Sequence, residues 1–223
     1  MSDADALVRF LHRLEGLKTS PRTGWIDRGV PTGEAESVAD HSFRTALLAW
    51  MAADAEPELD RNRVLKLALV HDLAEAITGD LPPYDAVALP GLHDDEARRA
   101  FLEQRHVRSE AREVAKRAAE AAAIAELVTG LPDKLAQELL ALAAELAGGE
   151  TAEARFVKQA DKLETYLQSR EYLREDPRRP VASFAAEVAE VIDVPMLARL
   201  RDVVDDVVFG QQKPAGSQAI RRE

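Results

Sequence analysis

Residues 67–83 read LALVHDLAEAITGDLPP. Leu67, Ala68 and Leu69, with Val64 and Leu65 before them, have the spacing of a core helix. Asp60 is placed to cap it, and Gly79 followed by Asp80-Leu81-Pro82-Pro83 ends it in a turn. Near its C-terminal part this helix carries His71-Asp72. Burying such a dipeptide is costly unless both groups are satisfied. Two solutions are open. One is a hydrogen-bonded pair capping the helix. The other is a shared divalent metal, which neutral imidazole and carboxylate suit together. Glu75 follows His71 by four residues, so the two side chains share a helix face.

Working outward, the rest of the chain also reads as helix, rich in Ala, Leu, Glu and Arg. Upstream, Asp3 to about Leu17 places Leu7, Phe10, Leu11 and Leu14 on one stripe. Residues 18–36 are irregular, with Pro21, Gly24, Gly29, Pro31 and Gly33 among Arg22, Trp25 and Arg28. A loop of this length in a compact domain is usually functional or disordered, and its Trp favours function. Ser37-Val38-Ala39-Asp40 is a capping-box variant. It opens a helix whose buried face is expected to be Phe43, Leu47, Leu48 and Met51, with His41 in its first turns.

Downstream, residues 84–93 read as loop and residues 94–129 as one or two highly charged helices. Pro132 starts a further helix that stops at Gly148-Gly149. Thr151 caps another through about Leu173, with Phe156, Val157, Ala160, Leu163 and Leu167 inward and Asp161 at the edge of that face. Lys158, three residues before Asp161, is a possible structural partner for it. Two short helices, about 181–192 and 195–209, follow. The expected fold is all-α, one domain over residues 1–210, with residues 211–223 a disordered tail.

The 223 residues carry 29 Lys+Arg against 40 Asp+Glu, a net charge of −11, and no cysteine. Disulfides, Cys-ligated zinc and thiol catalysis are therefore excluded. The acidic balance disfavours a nucleic-acid polymer as partner. No apolar run approaches the ~20 residues of a membrane span. Met1 to Leu7 lack a signal layout, so a cytoplasmic location is expected.

Taken in order, His41, His71-Asp72 and Asp161 resemble the H…HD…D signature of the HD-domain superfamily of metal-dependent phosphohydrolases. The stretches PRTGW (21–25), ESVADHSFR (36–44), LALVHDLAEAITGDLPP (67–83) and AEARFVKQADKLE (152–164) are similar to the HD-domain-containing protein 2 group, related to bacterial 5′-deoxynucleotidases. The match spans roughly residues 7–173. It implies a helical HD-domain bundle, here with a longer charged insertion at 84–112 and added C-terminal helices. It also implies one divalent ion, Mn²⁺, Co²⁺, Fe²⁺ or Mg²⁺, on His41, His71, Asp72 and Asp161. By the same resemblance Glu75 is tied to catalysis, Asp80 contacts the sugar of a nucleotide substrate, and Trp25 stacks near the base. Trp25 as a core aromatic anchoring the loop is equally open. Arg22, Arg44 and Lys158 are candidates for the phosphate, each with a salt bridge as its plain alternative. The expected activity is removal of the 5′-phosphate from nucleoside monophosphates, 2′-deoxy forms preferred, by a possible homodimer.

Two rivals stand beside it. His93-Asp94 is a second HD dipeptide, and His93 with His106 lies between HD and the distal Asp. Such histidines serve dinuclear HD oxygenases and phosphodiesterases. The other rival is a non-enzymatic nucleotide-sensing or interaction protein. His12 is assigned no role.

Overall fold

The computed structural model describes residues 2–210. The chain forms α1 (Asp3–Arg13), α2 (Glu15–Thr19), α3 (Thr23–Asp27), α4 (Val38–Ala52), α5 (Arg61–Val70), α6 (Glu75–Thr78), α7 (Asp95–Glu103), α8 (Glu110–Leu127), α9 (Asp133–Gly148), α10 (Ala152–Glu175), α11 (Ala182–Val191) and α12 (Pro195–Gly210). Pairing of extended segments among the described residues is limited to one isolated bridge, Pro21 to Ser37. The all-α expectation holds. The expected tail, residues 211–223, lies outside the described residues. No described helix is long and apolar enough to cross a membrane.

Helix α10 is the axis of the bundle, packed against α4, α5, α9, α11 and α12. Leu67 of α5, Phe156 and Leu163 of α10 and Leu197 of α12 are almost wholly buried in the main core. Each such side chain contributes about 1.5–3 kcal/mol by leaving water. A smaller cluster joins Ile124 and Leu127 of α8 to Phe10 and Leu14.

Local chemistry moves several boundaries. The first helix breaks at Leu14, and Arg13 donates to the carbonyls of Leu127 (2.9 Å) and Thr129 (2.8 Å) at the end of α8. Leu7 and Leu11, expected inward, are exposed. Residues 18–36 contain α3, so they are not loop throughout. Helix α5 stops at Val70, before the HD pair, and His71 opens a tight turn that leads into α6. There His71 Nδ1 lies 2.7 Å from the Ala68 carbonyl, and a side chain that engages the helix backbone competes with its ladder. The charged stretch is two helices, α7 and α8, divided by residues 104–109, which belong to no helix.

Helix α4 is turned opposite to expectation. Phe43, Leu47 and Met51 face out, and only Leu48 of the four packs against the core. The buried side is His41, Thr45, Ala46, Ala49 and Ala52. Small residues there let α4 lie close to α5 and α10.

Arg28 closes the loop region. It is buried without a carboxylate partner and donates instead to the carbonyls of Gly24 (3.0 Å), Leu102 (3.1 Å) and Pro180 (2.9 Å) and to Ser183 Oγ (3.0 Å). Its guanidinium also lies over the Phe184 ring, 4.5 Å from the centroid. This one side chain ties α3 to the 84–112 insertion and to α11.

Candidate metal centre and its cavity

The capping box sets the start of α4: Ser37 Oγ accepts from the Asp40 amide, and Asp40 Oδ2 accepts from the Ser37 amide. His41 follows directly and is completely buried. Its Nε2 lies 3.0 Å from Asp161 Oδ1, 3.3 Å from His71 Nε2 and 3.7 Å from Asp72 Oδ2. His71 Nε2 is 3.1 Å from Asp72 Oδ2. Four side chains from α4, the α5–α6 turn and α10 therefore converge on one point.

The outward nitrogens are committed elsewhere. His71 Nδ1 faces the Ala68 carbonyl, which only accepts, so Nδ1 carries the hydrogen. His41 Nδ1 meets Glu164 Oε2 in a short buried contact. With Nδ1 of each ring donating outward, both Nε2 atoms direct lone pairs inward, toward two carboxylates. Such a centre needs positive charge. Without a metal the imidazoles take up protons: burial opposes the His71 cation, but Asp72 and Asp161 outweigh it and push its pKa up to about 9. Ligand atoms of His41, His71 and Asp161 lie within 4.8 Å of one another, with Asp72 Oδ2 beside both Nε2 atoms, and such a set of nitrogens and carboxylates, without sulfur, fits a divalent cation.

Asp72 and Asp161 border a cavity of about 400 Å³ that Arg22, Glu75, Asp80 and Lys162 also line. Arg22 reaches Asp72 Oδ2 (3.5 Å) and Asp80 Oδ1 (3.7 Å). Burial disfavours its charge, yet Asp80 and Asp72 hold it firmly protonated. Asp80 Oδ2 accepts the Thr23 amide at 2.5 Å, and its carbonyl accepts the Thr23 hydroxyl at 2.8 Å. Gly79, at φ +70°, makes the turn that aims Asp80 there. Glu75 Oε2 is buried without a hydrogen-bond partner among the described residues. Burial, and then the charges of Asp72 and Asp80, raise the Glu75 pKa to about 9.

Of the expected substrate contacts, Trp25 borders the cavity from the core, and Arg44 and Lys158 lie outside its lining. Trp25 is a core residue: its indole N–H donates to Glu36 Oε1 at 2.7 Å, and Tyr172 and Phe184 pack on its ring at 5.1 and 4.9 Å. It edges the cavity, but the neighbours that anchor it leave no free face for a base. Arg44 pairs with Glu164 (3.1 Å) and Glu171 (2.9 Å) and bonds Gln168 (2.7 Å), along α10 and outside the cavity lining. Lys158 lines a second cavity. In its place Lys162 pairs with Asp161 at 3.3 Å, a residue that helical spacing does not select, since adjacent positions do not share a face.

Glu164 and Glu36 were also outside the sequence expectations. A buried histidine needs a partner for its second nitrogen, but nothing in the chain names which carboxylate supplies it. His93 is exposed. His106 stacks on Phe101 at 4.1 Å and lies 2.8 Å from that residue's carbonyl. Among the described residues neither joins a group able to hold a metal, so the dinuclear reading is not favoured.

The model of the HD domain family matches residues 14–194. The 5′-deoxynucleotidase HDDC2 of Xenopus laevis is 37% identical over 179 residues, 80% of this chain and 75% of that protein. Its Homo sapiens counterpart is 37% identical over 169 residues, 76% and 69% of the two chains. A crystal structure described as a predicted metal-dependent phosphohydrolase from Magnetospirillum magnetotacticum MS-1 superposes with a TM-score of 0.61 at 26% identity, covering 94% of this chain and 97% of that one.

Proposed function

This chain belongs to the HD domain family, and from that premise we propose that it is a metal-dependent 5′-deoxynucleotidase, freeing phosphate from 2′-deoxynucleoside 5′-monophosphates. The observation that carries the reading is the convergence of His41, His71, Asp72 and Asp161 at the wall of a cavity that also presents Arg22, Glu75 and Asp80.

The centre is proposed to hold one Mn²⁺, Co²⁺, Fe²⁺ or Mg²⁺ ion. When bound, such an ion polarises the phosphoryl group and acidifies the attacking water. The chain supplies the rest. Arg22 and Lys162 offer positive charge to the phosphate oxygens. In the reaction a water O–P bond forms and the P–O5′ bond breaks, so one proton must pass from the water to O5′. Glu75, a buried carboxyl with an unpartnered oxygen, is suited to relay it.

Asp80 is suited to accept a sugar hydroxyl through Oδ1. Its attachment to Thr23 keeps the carboxylate from receding to admit a 2′-OH. The rest of the lining also carries Tyr84, His106 and Phe184, and aromatic edges and faces of this kind favour no particular base.

A phosphate-release panel of deoxynucleotides, ribonucleotides and a generic ester, with Mn²⁺ or Co²⁺ and an EDTA control, tests this. Release is expected from deoxynucleoside monophosphates with little base preference, and EDTA should abolish it. No release from any nucleotide would refute the activity. Equal rates on dAMP and AMP would remove the sugar preference alone.

The proposal includes a homodimer and a cytoplasmic location, where mononucleotide pools are held. Phe43, Leu47, Trp50 and Met51 form an exposed apolar stripe on the side of α4 opposite His41, which supports pairing. Light scattering should give twice the 24.5 kDa chain mass, and Phe43→Glu with Met51→Glu should return it to one. A monomeric wild type would refute the pairing.

A further inference from the structure

Six carboxylates line the first cavity, and two of them make no ion pair or hydrogen bond among the described residues. One is Glu75. The other is Glu187, which α11 brings to the wall, and α11 packs directly on α10. From α10, Lys162 lines the same cavity and pairs with Asp161 Oδ2 at 3.3 Å, while Asp161 Oδ1 faces His41 Nε2 at 3.0 Å. Lys162 therefore neutralises a carboxylate on which the metal centre converges. The other lining cations are committed. Arg22 lies beside Asp72 and Asp80, Arg28 is taken up by carbonyls, Arg105 pairs with Glu190 at 2.5 Å, Lys116 pairs with Glu120, and Arg108 donates to the Leu81 carbonyl. Lys162 is a partly exposed ammonium on a flexible four-carbon stem. Two carboxylates act on it: Asp161 first, and then Glu187, raise its pKa against burial.

We propose that Glu187 is a positioning residue, which takes over Lys162 when a cation fills the metal centre. Without a metal, Lys162 supplies part of the positive charge that the centre needs. A divalent ion on Asp161 removes that need, and two like charges on one carboxylate repel each other at this range. A lysine displaced from Asp161 finds an unpaired carboxylate in the lining of the same cavity, so it stays where phosphate oxygens can reach it. Without Glu187 the displaced ammonium has no second partner, and the exchange costs metal affinity. The inference rests on the metal centre proposed above and not on the activity.

The test is chelator competition for Co²⁺ across wild type, Lys162→Met, Glu187→Gln and the double variant, which reads metal affinity without turnover. Both side chains border the cavity and are partly exposed, so neither substitution opens the core. Lys162→Met should tighten Co²⁺ binding about fivefold, because the competing charge is gone. Glu187→Gln should weaken it about threefold in wild type, and by less than about 1.5-fold in Lys162→Met, because Glu187 acts only through Lys162. Lys162→Arg keeps the competing charge and should stay within about twofold of wild type. Equal weakening by Glu187→Gln in both backgrounds would show an effect of net charge alone and overturn the exchange. So would unchanged or weaker binding in Lys162→Met. Co²⁺ bound with this coupling by a protein that hydrolyses no nucleotide would uphold the exchange and fail only the proposed activity. No Co²⁺ binding in any of these proteins would fail the metal centre and the exchange together.

Discussion

Glu75→Gln is expected to lower kcat by a factor of about 10²–10⁴ while leaving metal content unchanged. The substitution keeps shape and volume and removes only the ability to take and give a proton. Glu75 lies outside the group of His41, His71 and Asp161 that could hold a metal, so the centre should still fill. The wild-type carboxyl also carries a pH signature. Burial, Asp72 and Asp80 raise its pKa, which keeps it protonated through neutral pH in the metal-free chain, and a cation in the centre acts in the opposite direction. Steady-state rates with elemental analysis of the same preparation make the check. Full activity in Glu75→Gln would show that the proton travels by another route. Loss of metal together with activity would place Glu75 among the ligands.

The second large effect is expected behind the centre. Glu164→Leu should weaken divalent-metal affinity by about 10- to 100-fold. Glu164 is buried and holds His41 Nδ1, while Arg44 Nε forms an ion pair with its other oxygen at 3.1 Å without a hydrogen bond. Without the carboxylate, the His41 tautomer that directs a lone pair at the centre loses its partner, and Arg44 loses part of its own. Glu36 is the third member of this buried group, its pKa raised to about 7 by burial and by Glu164. Glu164→Gln retains an acceptor oxygen for Nδ1–H and should recover most of the affinity. Competition with a chelator of known strength reads the constant directly, without turnover. Equal affinity in wild type and Glu164→Leu would mean that packing alone orients His41.

The order of the converging side chains along the chain was legible because each constraint is local. A capping box precedes His41, an apolar helix runs into His71-Asp72, and Asp161 interrupts the edge of a regular apolar face. The orientation of α4 was not. Its sequence carries two stripes, one of large side chains and one of alanines. Hydrophobic spacing favours the large one. Close packing against two neighbouring helices, with His41 among the buried groups, selects the small one. Trp25 was ambiguous for a related reason: an indole suits both a core and a base, and only the positions of Tyr172, Phe184 and Glu36 decide. Lys158 and Lys162 flank the same aspartate, and the choice between them depends on which side of α10 each cavity lies, a property of the assembled bundle.

The four contacts of Arg28 set an order of events during synthesis. All four metal-converging side chains have been made once residue 161 is added, but the Arg28 guanidinium still lacks the Pro180 carbonyl and the Ser183 hydroxyl, more than 150 positions downstream of it. Until those arrive, a cation destined for burial has to stay hydrated, and the cavity wall built around it stays open. Closing so long a stretch of chain is costly, and the same cost falls on the meeting of His41 with Asp161, 120 positions apart. On a ribosome Asp161 is thus made before the residues that complete the chamber wall, and that wall is finished only once the start of α11 has been added.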